Sequence, residues 1–398
     1  MAPARTIIIA GAGIGGLSAA LALAANGFRV TLIEQSERLE ETGAGIQLSP
    51  NATRVLLALG LGERLKPHIV APSEVRIRTS AGDELARMPL GKFAERRYGA
   101  PYWMIHRANL QAALLEAVRA NPNIALKLGT HVEDYAAYQG GVTVACRHTG
   151  SASKEDGLAL VGADGLWSSL RARLDPHCTP NFRQRTAWRA LAPAADVDPQ
   201  FREEVVQLWL GRDAHIVHYP VKAGAMINIV AIVRDQWAQT GWSTAGAREE
   251  IRARFSDQTW AQPARALLAA PQRWLKWALY DCPPLQRWSD GPVTLLGDAA
   301  HPMLPFLAQG AAMAMEDAAV LTACLARTPA DAAGALRRYE SQRRERTHKV
   351  QRAARSNSTF YHLAGIPAFA RNLALRTMGG ERLLTRYDWL YDWRPESE

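Results

Sequence analysis

Thr6-Ile7-Ile8-Ile9-Ala10-Gly11-Ala12-Gly13-Ile14-Gly15-Gly16, continued by the Ala/Leu-rich segment from Leu17 to Asn26, Gly27, and Phe28-Arg29-Val30-Thr31-Leu32-Ile33-Glu34, is the stretch on which the fold turns. Its opening run is apolar, rich in β-branched residues and short, the pattern of a buried strand. The Leu17–Asn26 segment reads as a helix stopped by Gly27, and Phe28–Ile33 as a second strand. Between them each glycine has a physical task. Gly11 makes the tight turn, Gly13 lets a pyrophosphate approach the backbone, Gly15 continues the loop, and Gly16 lets the helix pack against the strand. The unpaired N–H groups and partial positive charge of the helix start suit a diphosphate. Glu34, with Gln35 beside it, stands 18 residues past Gly16, where a ribose hydroxyl needs an acceptor. The unit is read as a dinucleotide site.

The uncharged run from Thr6 to Phe28 also imitates a transmembrane helix or, with Arg5 ahead of it, a secretory signal. Five glycines and the second strand directly behind argue against a span, and cleavage would leave Glu34 without purpose. The remaining composition is ordinary for a soluble globular enzyme, 398 residues with 48% hydrophobic and 21% charged, and the strand-helix pattern makes the expected class α/β. Cys146, Cys178, Cys282 and Cys324 are scattered, with neither metal-ligand nor disulfide spacing, so reduced thiols in the cytoplasm are expected and no metal. The net charge of +9 is concentrated. Between Arg337 and Arg355 seven arginines and one lysine face Glu340 and Glu345, a net +6 that reads as a solvated helix face. Without an aromatic-interleaved basic groove, nucleic acid is not an expected partner.

Beyond Glu34 a loop, Thr42–Asn51, precedes a helix over Ala52–Leu59 for which Asn51 is the expected cap. Val75–Thr79 alternates like a strand, and His106-Arg107-Ala108-Asn109-Leu110 enters a helix. Leu158–Gly165 is a strand ending in Gly162-Ala163-Asp164-Gly165. From about 180 to 284 the texture changes. Val205–Leu210, His215–Val221 and Met226–Val233 form an antiparallel meander, as expected of an inserted domain. Gly291–Asp298 then returns to an apolar strand ending in Gly-Asp. The expected division is a discontinuous Rossmann-like domain (1–74, 101–179 and 285–335), a mainly antiparallel β domain (75–100 and 180–284) and a helical tail (336–398). In that tail Trp389 and Trp393 are expected to pack onto the body.

Three Gly/Asp turns thus stand at strand ends. Together with "HRANL" at 106–110, "GADGLWSSLR" at 162–171 and "GDAAHPMLPFLAQGAAMAMEDA" at 297–318, they make the chain resemble, over its full length, the class A FAD-dependent aromatic hydroxylases. This is the group that contains salicylate hydroxylase, 3-hydroxybenzoate 6-hydroxylase and 6-hydroxynicotinate 3-monooxygenase. The resemblance implies FAD as cofactor, with Glu34 on the adenosine ribose and Arg107 on the ribityl-phosphate side. It places Asp164 with FAD and, indirectly, nicotinamide, Asp298 on the ribityl chain, and Gln47 beside the flavin. Gly310 and Ala311 would open a helix toward the flavin's pyrimidine end, where a positive helix terminus favours the anionic reduced form. It also implies O₂ and NAD(P)H as co-substrates, hydroxylation through a flavin C4a-hydroperoxide, and a small phenolic or heteroaromatic acid as substrate. Decarboxylation would accompany a salicylate-like one. NADH is not distinguished from NADPH, nor is an oligomeric state indicated.

For the substrate site, strand periodicity puts His215, Val217 and Tyr219 on one face and His218 on the other. Related hydroxylases carry a similar H-x-x-x-Y pair facing the substrate hydroxyl. A phenol at about 10 is about 3.5 units above an ordinary imidazole, so direct proton transfer to His215 is uphill by ~4.8 kcal/mol. Hydrogen bonds to the phenolate must supply part of that. His215 is therefore expected as base or relay, Tyr219 as its orienting partner, and Arg189 and Pro305 as further substrate-side candidates. Two departures from the family pattern stand out. The hydroxynicotinate type carries His at the position of Gln47, and the 3-hydroxybenzoate type carries Gln near Pro305. A flavin halogenase should show W-x-W-x-I-P, which is absent. A flavin-dependent reductase or dehydrogenase and a non-catalytic FAD-binding module are the alternatives.

Overall fold

The computed structural model describes residues 5–39, 44–241 and 243–395; Thr42 and Gly43 of the expected glycine loop fall outside them. The first strand, Thr6–Ala10, lies in the middle of a six-stranded sheet. Arg29–Ile33 and then Ile124–Lys127 flank it on one side, Ala159–Gly162, Val293–Leu295 and the antiparallel edge Ser289–Asp290 on the other. The pairings from Val293–Leu295 across to Ile124–Lys127 are parallel. Such a sheet is covered on both faces, and its strands are unbroken apolar runs; Ile7, Ile8 and Ile9 are fully buried. The helix after the glycine loop runs Ile14–Ala25, starting one turn earlier than the sequence suggests. It packs on the Gly310–Arg327 helix through small residues: a Cβ on Gly15 would come within 2.8 Å of Leu296 and 3.1 Å of Ala314.

The expected three-strand meander is part of a larger body. An eight-stranded sheet runs Thr244–Gly246, Trp274–Asp281, Asn181–Pro193, Met226–Arg234, Ala214–Val221, Val206–Gly211, Glu74–Thr79 and Glu84–Pro89. One pair, Val206–Gly211 with Glu74–Thr79, is parallel. One face packs Trp188, Ile216, Ile229 and Ala231 against the helices Arg248–Arg254 and Gln262–Ala269. The other presents Ala187, Arg189, Val217, Tyr219, Val230 and Ile232, by the two-residue period of paired strands. A separate antiparallel sheet, Thr130–Tyr138, Gly141–His148 and Ser151–Gly157, sits beside the parallel one.

Two expectations change. Asn51 is not a cap: the helix spans Pro50–Ala58, and the Asn51 amide donates to Glu316 Oε1 at 2.7 Å and Gln309 Oε1 at 3.1 Å. Nor is the basic run merely a solvated face. Arg343, on the 30-residue helix Ala332–Tyr361, is 1% exposed and bonds Asp317 (2.7 Å) and Glu316 (2.6 Å). Arg346 binds Glu316 through two nitrogens, at 2.6 and 2.8 Å. Arg355 pairs with the buried Asp281. A 3.6-residue period brings Arg343 and Arg346 onto the inner face, where the consecutive Glu316 and Asp317 of the neighbouring helix demand countercharge, while Arg355 serves Asp281 at a strand end. Trp389 and Trp393 do join the tail to the body. Lys349 Nζ lies 4.2 Å from the centre of the Trp389 ring, Arg343 and Arg346 lie over Trp393, and Arg346 also donates to the carbonyls of Trp389 and Leu390.

Candidate active site

The glycine loop, the Asp164 turn and the Asp298 turn sit at the carboxyl ends of three adjacent parallel strands, the edge where open α/β sheets bind ligands. The three are interlocked. Gly11 has φ +105°, and a Cβ there would lie 2.3 Å from the Ala163 carbonyl oxygen, so the second segment crosses where only glycine fits. Ala163 N–H bonds Ala10 at 2.7 Å and Leu296 N–H bonds Gly162 at 2.8 Å. Arg171, from "GADGLWSSLR", is buried and donates to the carbonyls of Asp298 (3.2 Å) and Ala299 (3.1 Å). It fastens the third segment to the second, a role the sequence reading did not give it.

A Cβ on Gly13 would meet nothing within 4 Å, while one on Gly16 would lie 1.9 Å from the Gly11 carbonyl oxygen. The first glycine faces open space and the second closes the turn. Glu34 accepts hydrogen bonds from Ala12 N–H (2.8 Å) and Ser36 N–H (2.9 Å), fixing its carboxylate at the rim of the loop; Gln35 is exposed beside it. Asp164 accepts weakly from Leu170 N–H (3.3 Å) and Ser169 (3.4 Å) through Oδ2, and its buried Oδ1 lacks a protein partner among the described residues.

Asp298 is reached by solvent yet crowded by protein on most sides. That crowding raises its carboxyl above the usual range, against the pull of His301, Arg107 and Arg171. Arg107 opens the Arg107–Arg119 helix, anchored by its N–H to the Ala44 carbonyl (2.9 Å). The Gly310–Arg327 helix begins beside Asp298: a Cβ on Gly310 would lie 3.7 Å from Asp298 Oδ1. That helix start carries no side-chain cap, so the N–H groups at Gly310 and Ala311 are not taken by one. An open glycine, an orphaned carboxylate oxygen and an uncapped helix start on one rim fit a flavin dinucleotide.

Behind this rim lies the buried charge cluster. Asp317 accepts from Gly297 N–H (3.0 Å), His301 Nε2 (2.5 Å) and Arg343, and His301 and Arg343 hold it at about 2 against the burial that raises it. The cluster thereby ties the Asp298 turn to two helices.

The sheet face with His215 and Tyr219 is joined to this rim by the short strand Gly45–Leu48. Gly45 N–H bonds Asn228 Oδ1 at 2.6 Å, and a Cβ on Gly45 would lie 2.7 Å from Asn228 and from Tyr219. Gln47, on that strand, accepts from Tyr102 (2.8 Å) and lies beside the Tyr219 phenol. Burial pushes the Tyr219 phenol well up, against the pull of Arg189 and Gln47. Arg189 lies 4.9 Å from the centre of the Trp277 ring. Pro305 opens the single turn Pro305–Leu307, whose Phe306 ring is 5.2 Å from His215. As the strand period requires, His218 faces the opposite side and accepts from the Trp209 indole (3.1 Å).

His215 is not as expected. It is 2% exposed, and its Nδ1 is 2.8 Å from Nε2 of His362. Burial, with His362 and Arg185 nearby, lowers it well below an ordinary imidazole. Direct proton abstraction is thus steeper than the ~4.8 kcal/mol worked from unperturbed values. His362, Tyr102 and Asn228 were missed. His362 lies in the tail, and nothing in its spacing connects it with residue 215.

The description "FAD binding domain" matches residues 4–354. The chain belongs to this FAD-binding family. Across 389 residues the family member is 38% identical to "3-hydroxybenzoate 6-hydroxylase 1" of Aquipseudomonas alcaligenes, covering 97% of both chains. It superposes on Klebsiella pneumoniae HpxO complexed with FAD and uric acid at TM-score 0.84 and 28% identity, over 96% of this chain and 95% of that one. With a salicylate hydroxylase substrate complex the TM-score is 0.81 at 28% identity, over 98% and 96%. The cofactor of this flavoprotein is FAD, and the chain is an enzyme of the flavin-dependent aromatic hydroxylase type. No helix among the described residues is long and apolar enough to cross a membrane.

Proposed function

We propose that this flavoprotein monooxygenase uses NAD(P)H and O₂ to hydroxylate a small aromatic acid bearing a ring hydroxyl, of the hydroxybenzoate or hydroxynicotinate kind. The observation that carries the reading is one sheet face presenting His215, Tyr219 and Arg189, joined through the Gly45–Leu48 strand to the rim where the three Gly/Asp turns converge. When bound, FAD would supply the hydride acceptor for NAD(P)H and the site of O₂ activation. Gly13 would leave room for its diphosphate in the turn that Gly11, Gly15 and Gly16 allow to close, and Glu34 would accept from its ribose, with Gln35 alongside. Arg107, Asp164, Asp298 and the helix start at Gly310 and Ala311 hold the flavin end.

On the substrate side, Tyr219 stays a neutral phenol and orients the substrate hydroxyl, with Gln47 beside its own hydroxyl. His215 lies against the same oxygen and lowers the cost of its ionisation. Arg189, lying over the Trp277 ring, meets the carboxylate, where a planar guanidinium gives two parallel bonds. Phe306, Ile232 and Val230 exclude water, which strengthens each of these interactions. Pro305 shapes the turn that carries Phe306. Four buried free cysteines suit the reducing cytoplasm that we infer as its location. The working units we infer are those read from the sequence, with cofactor held by 1–74, 101–179 and 285–335 and substrate mainly by 75–100 and 180–284.

The test is a panel of hydroxylated aromatic acids scanned for stimulated NADH and NADPH oxidation, with product identified by mass. An added oxygen atom on a panel member is expected. Arg189→Met should raise KM for the acid by roughly tenfold or more, the worth of one charged hydrogen bond, with little change for the corresponding amide. Pyridine-nucleotide oxidation that no aromatic acid stimulates would refute the reading.

A further inference from the structure

The tail places a second imidazole against the candidate substrate histidine. His362 caps the C-terminal end of the Ala332–Tyr361 helix. That end is pinned by the buried Arg371, which donates to the carbonyls of Phe360 (2.9 Å) and Tyr361 (3.1 Å). The Phe306 and Tyr361 rings pack on His215 at 5.2 and 5.3 Å, so both imidazoles are boxed by aromatic rings. The 2.8 Å contact between His215 Nδ1 and His362 Nε2 contains one proton when both rings are neutral, and two arrangements are open.

The surroundings choose between them. His362 Nδ1 is sealed from solvent and has no partner among the described residues. A buried N–H without an acceptor is the rarer and costlier defect, so the proton of His362 belongs on Nε2 and its bare lone pair on Nδ1. His215 Nδ1 is then the acceptor, and its own proton sits on Nε2, which is not sealed in this way. The titratable and charged groups facing the pair are Arg185 from the Asn181–Pro193 strand, Arg371 from the Gly365–Met378 helix and Tyr361. Both arginines disfavour a charged imidazole, so the pair stays neutral and the single-proton argument holds.

We propose that His362 is a positioning residue of the substrate site: by donating to His215 it fixes the tautomer in which His215 Nε2–H is offered to the substrate's ring oxygen. The inference rests on the function proposed above and deepens it. His215 then acts as a neutral hydrogen-bond donor to a substrate that has given its proton to solvent, stabilising the phenolate, rather than as the base that takes that proton. It follows that the accepted substrates present an acceptor oxygen at this point, a phenolate or the carbonyl of a hydroxypyridine in its keto form. An aryl ether, whose oxygen cannot carry this negative charge, should not be turned over.

The FAD-loaded protein labelled with ¹⁵N-histidine tests this without turnover. At neutral pH, His215 should show a protonated Nε2 and an unprotonated Nδ1, and His362→Phe should return His215 to a mixture of tautomers. In kinetics with an acid identified by the panel, H362F should lower kcat for coupled product by roughly tenfold or more, the usual effect of losing a group that orients a site residue. KM should move little, and His362→Gln, whose amide can donate to the same nitrogen, should recover most of the loss. A His215 protonated on Nδ1 would overturn the proposal, since the labelled parent answers even where H362F fails to fold. So would an H362F enzyme with parental kcat and pH profile while His215→Gln is impaired. If H215Q also behaves like the parent, the proposal falls together with the site reading beneath it.

Discussion

Replacing Arg343 by Met keeps most of the side-chain volume and removes the charge that two buried carboxylates share. Arg343 lies at 1% exposure, with Nε 2.7 Å from Asp317 and Nη1 2.6 Å from Glu316, both fully buried. The losses are unequal. Glu316 retains two bonds from Arg346 and one from Asn51, so its charge stays compensated. Among the described residues Asp317 retains His301 and the Gly297 amide. Breaking a buried pair by deleting one partner costs about 3–5 kcal/mol, because the remaining charge is stranded. For 398 residues unfolding as one unit, an entropy of about 0.8 kcal/mol/K converts this into a fall in Tm of about 4–6 °C. Asp317 also anchors the Gly297–Asp298 turn, so the variant should release FAD more readily. The assay is thermal unfolding with and without added FAD, followed by far-UV circular dichroism and flavin fluorescence. The double variant D317N/R343M, which leaves no stranded charge, should regain a substantial part of the loss. An R343M protein within about 1 kcal/mol of its parent, or a double variant less stable than R343M, would refute the reasoning.

Three further perturbations test other parts. Burial, with Arg185 and Arg371, lowers His362 to about 3. The unfolded chain therefore binds more protons below pH 6.5, and stability should fall as pH drops, by ~2 kcal/mol for this group at pH 5. Tm against pH should flatten over that range in H362Q; an equally steep H362Q curve would count against the assignment. Glu34→Gln should keep the fold but weaken FAD binding roughly tenfold, the worth of a charged acceptor, as read by quenching of free-flavin fluorescence. Unchanged affinity would remove Glu34 from the cofactor site. Gly45→Ala drives a methyl to 2.7 Å from Asn228 and Tyr219, so hydroxylation should suffer while bound flavin is retained; parental coupling would show that Tyr219 can move without consequence.

What was legible in the sequence is what local chemistry encodes. The glycine loop, the two Gly-Asp turns and their shared sheet edge follow from strands that are apolar runs and from turns where a Cβ cannot fit. The facing of His215 and Tyr219 followed from the strand period alone. What stayed hidden depends on distance along the chain. A basic helix reads as solvated until two acids of another helix are known to lie beneath it, and Arg343 differs from its exposed neighbours only in its phase on the helix. Asn51 has the chemistry of a cap, and its side chain was drawn inward by Glu316, 265 residues away. His362 lies 147 residues from His215, and a lone histidine before a helix break carries no sign of its partner. The polar strands Thr130–Tyr138 and Ser151–Gly157 were indistinct because they are largely exposed, so neither alternation nor an apolar run marks them.

The central position of Thr6–Ala10 in the parallel sheet has a consequence for biogenesis. The ribosome delivers the glycine turn first, yet the strand next to Ala159–Gly162 and the Asp298 turn emerge nearly three hundred residues later, and His362 later still. A nascent chain shorter than this holds half a nucleotide cleft and an open sheet edge. Flavin capture therefore belongs to the closing stage of folding, and limited flavin should leave behind an already compact apoprotein rather than an unstructured chain.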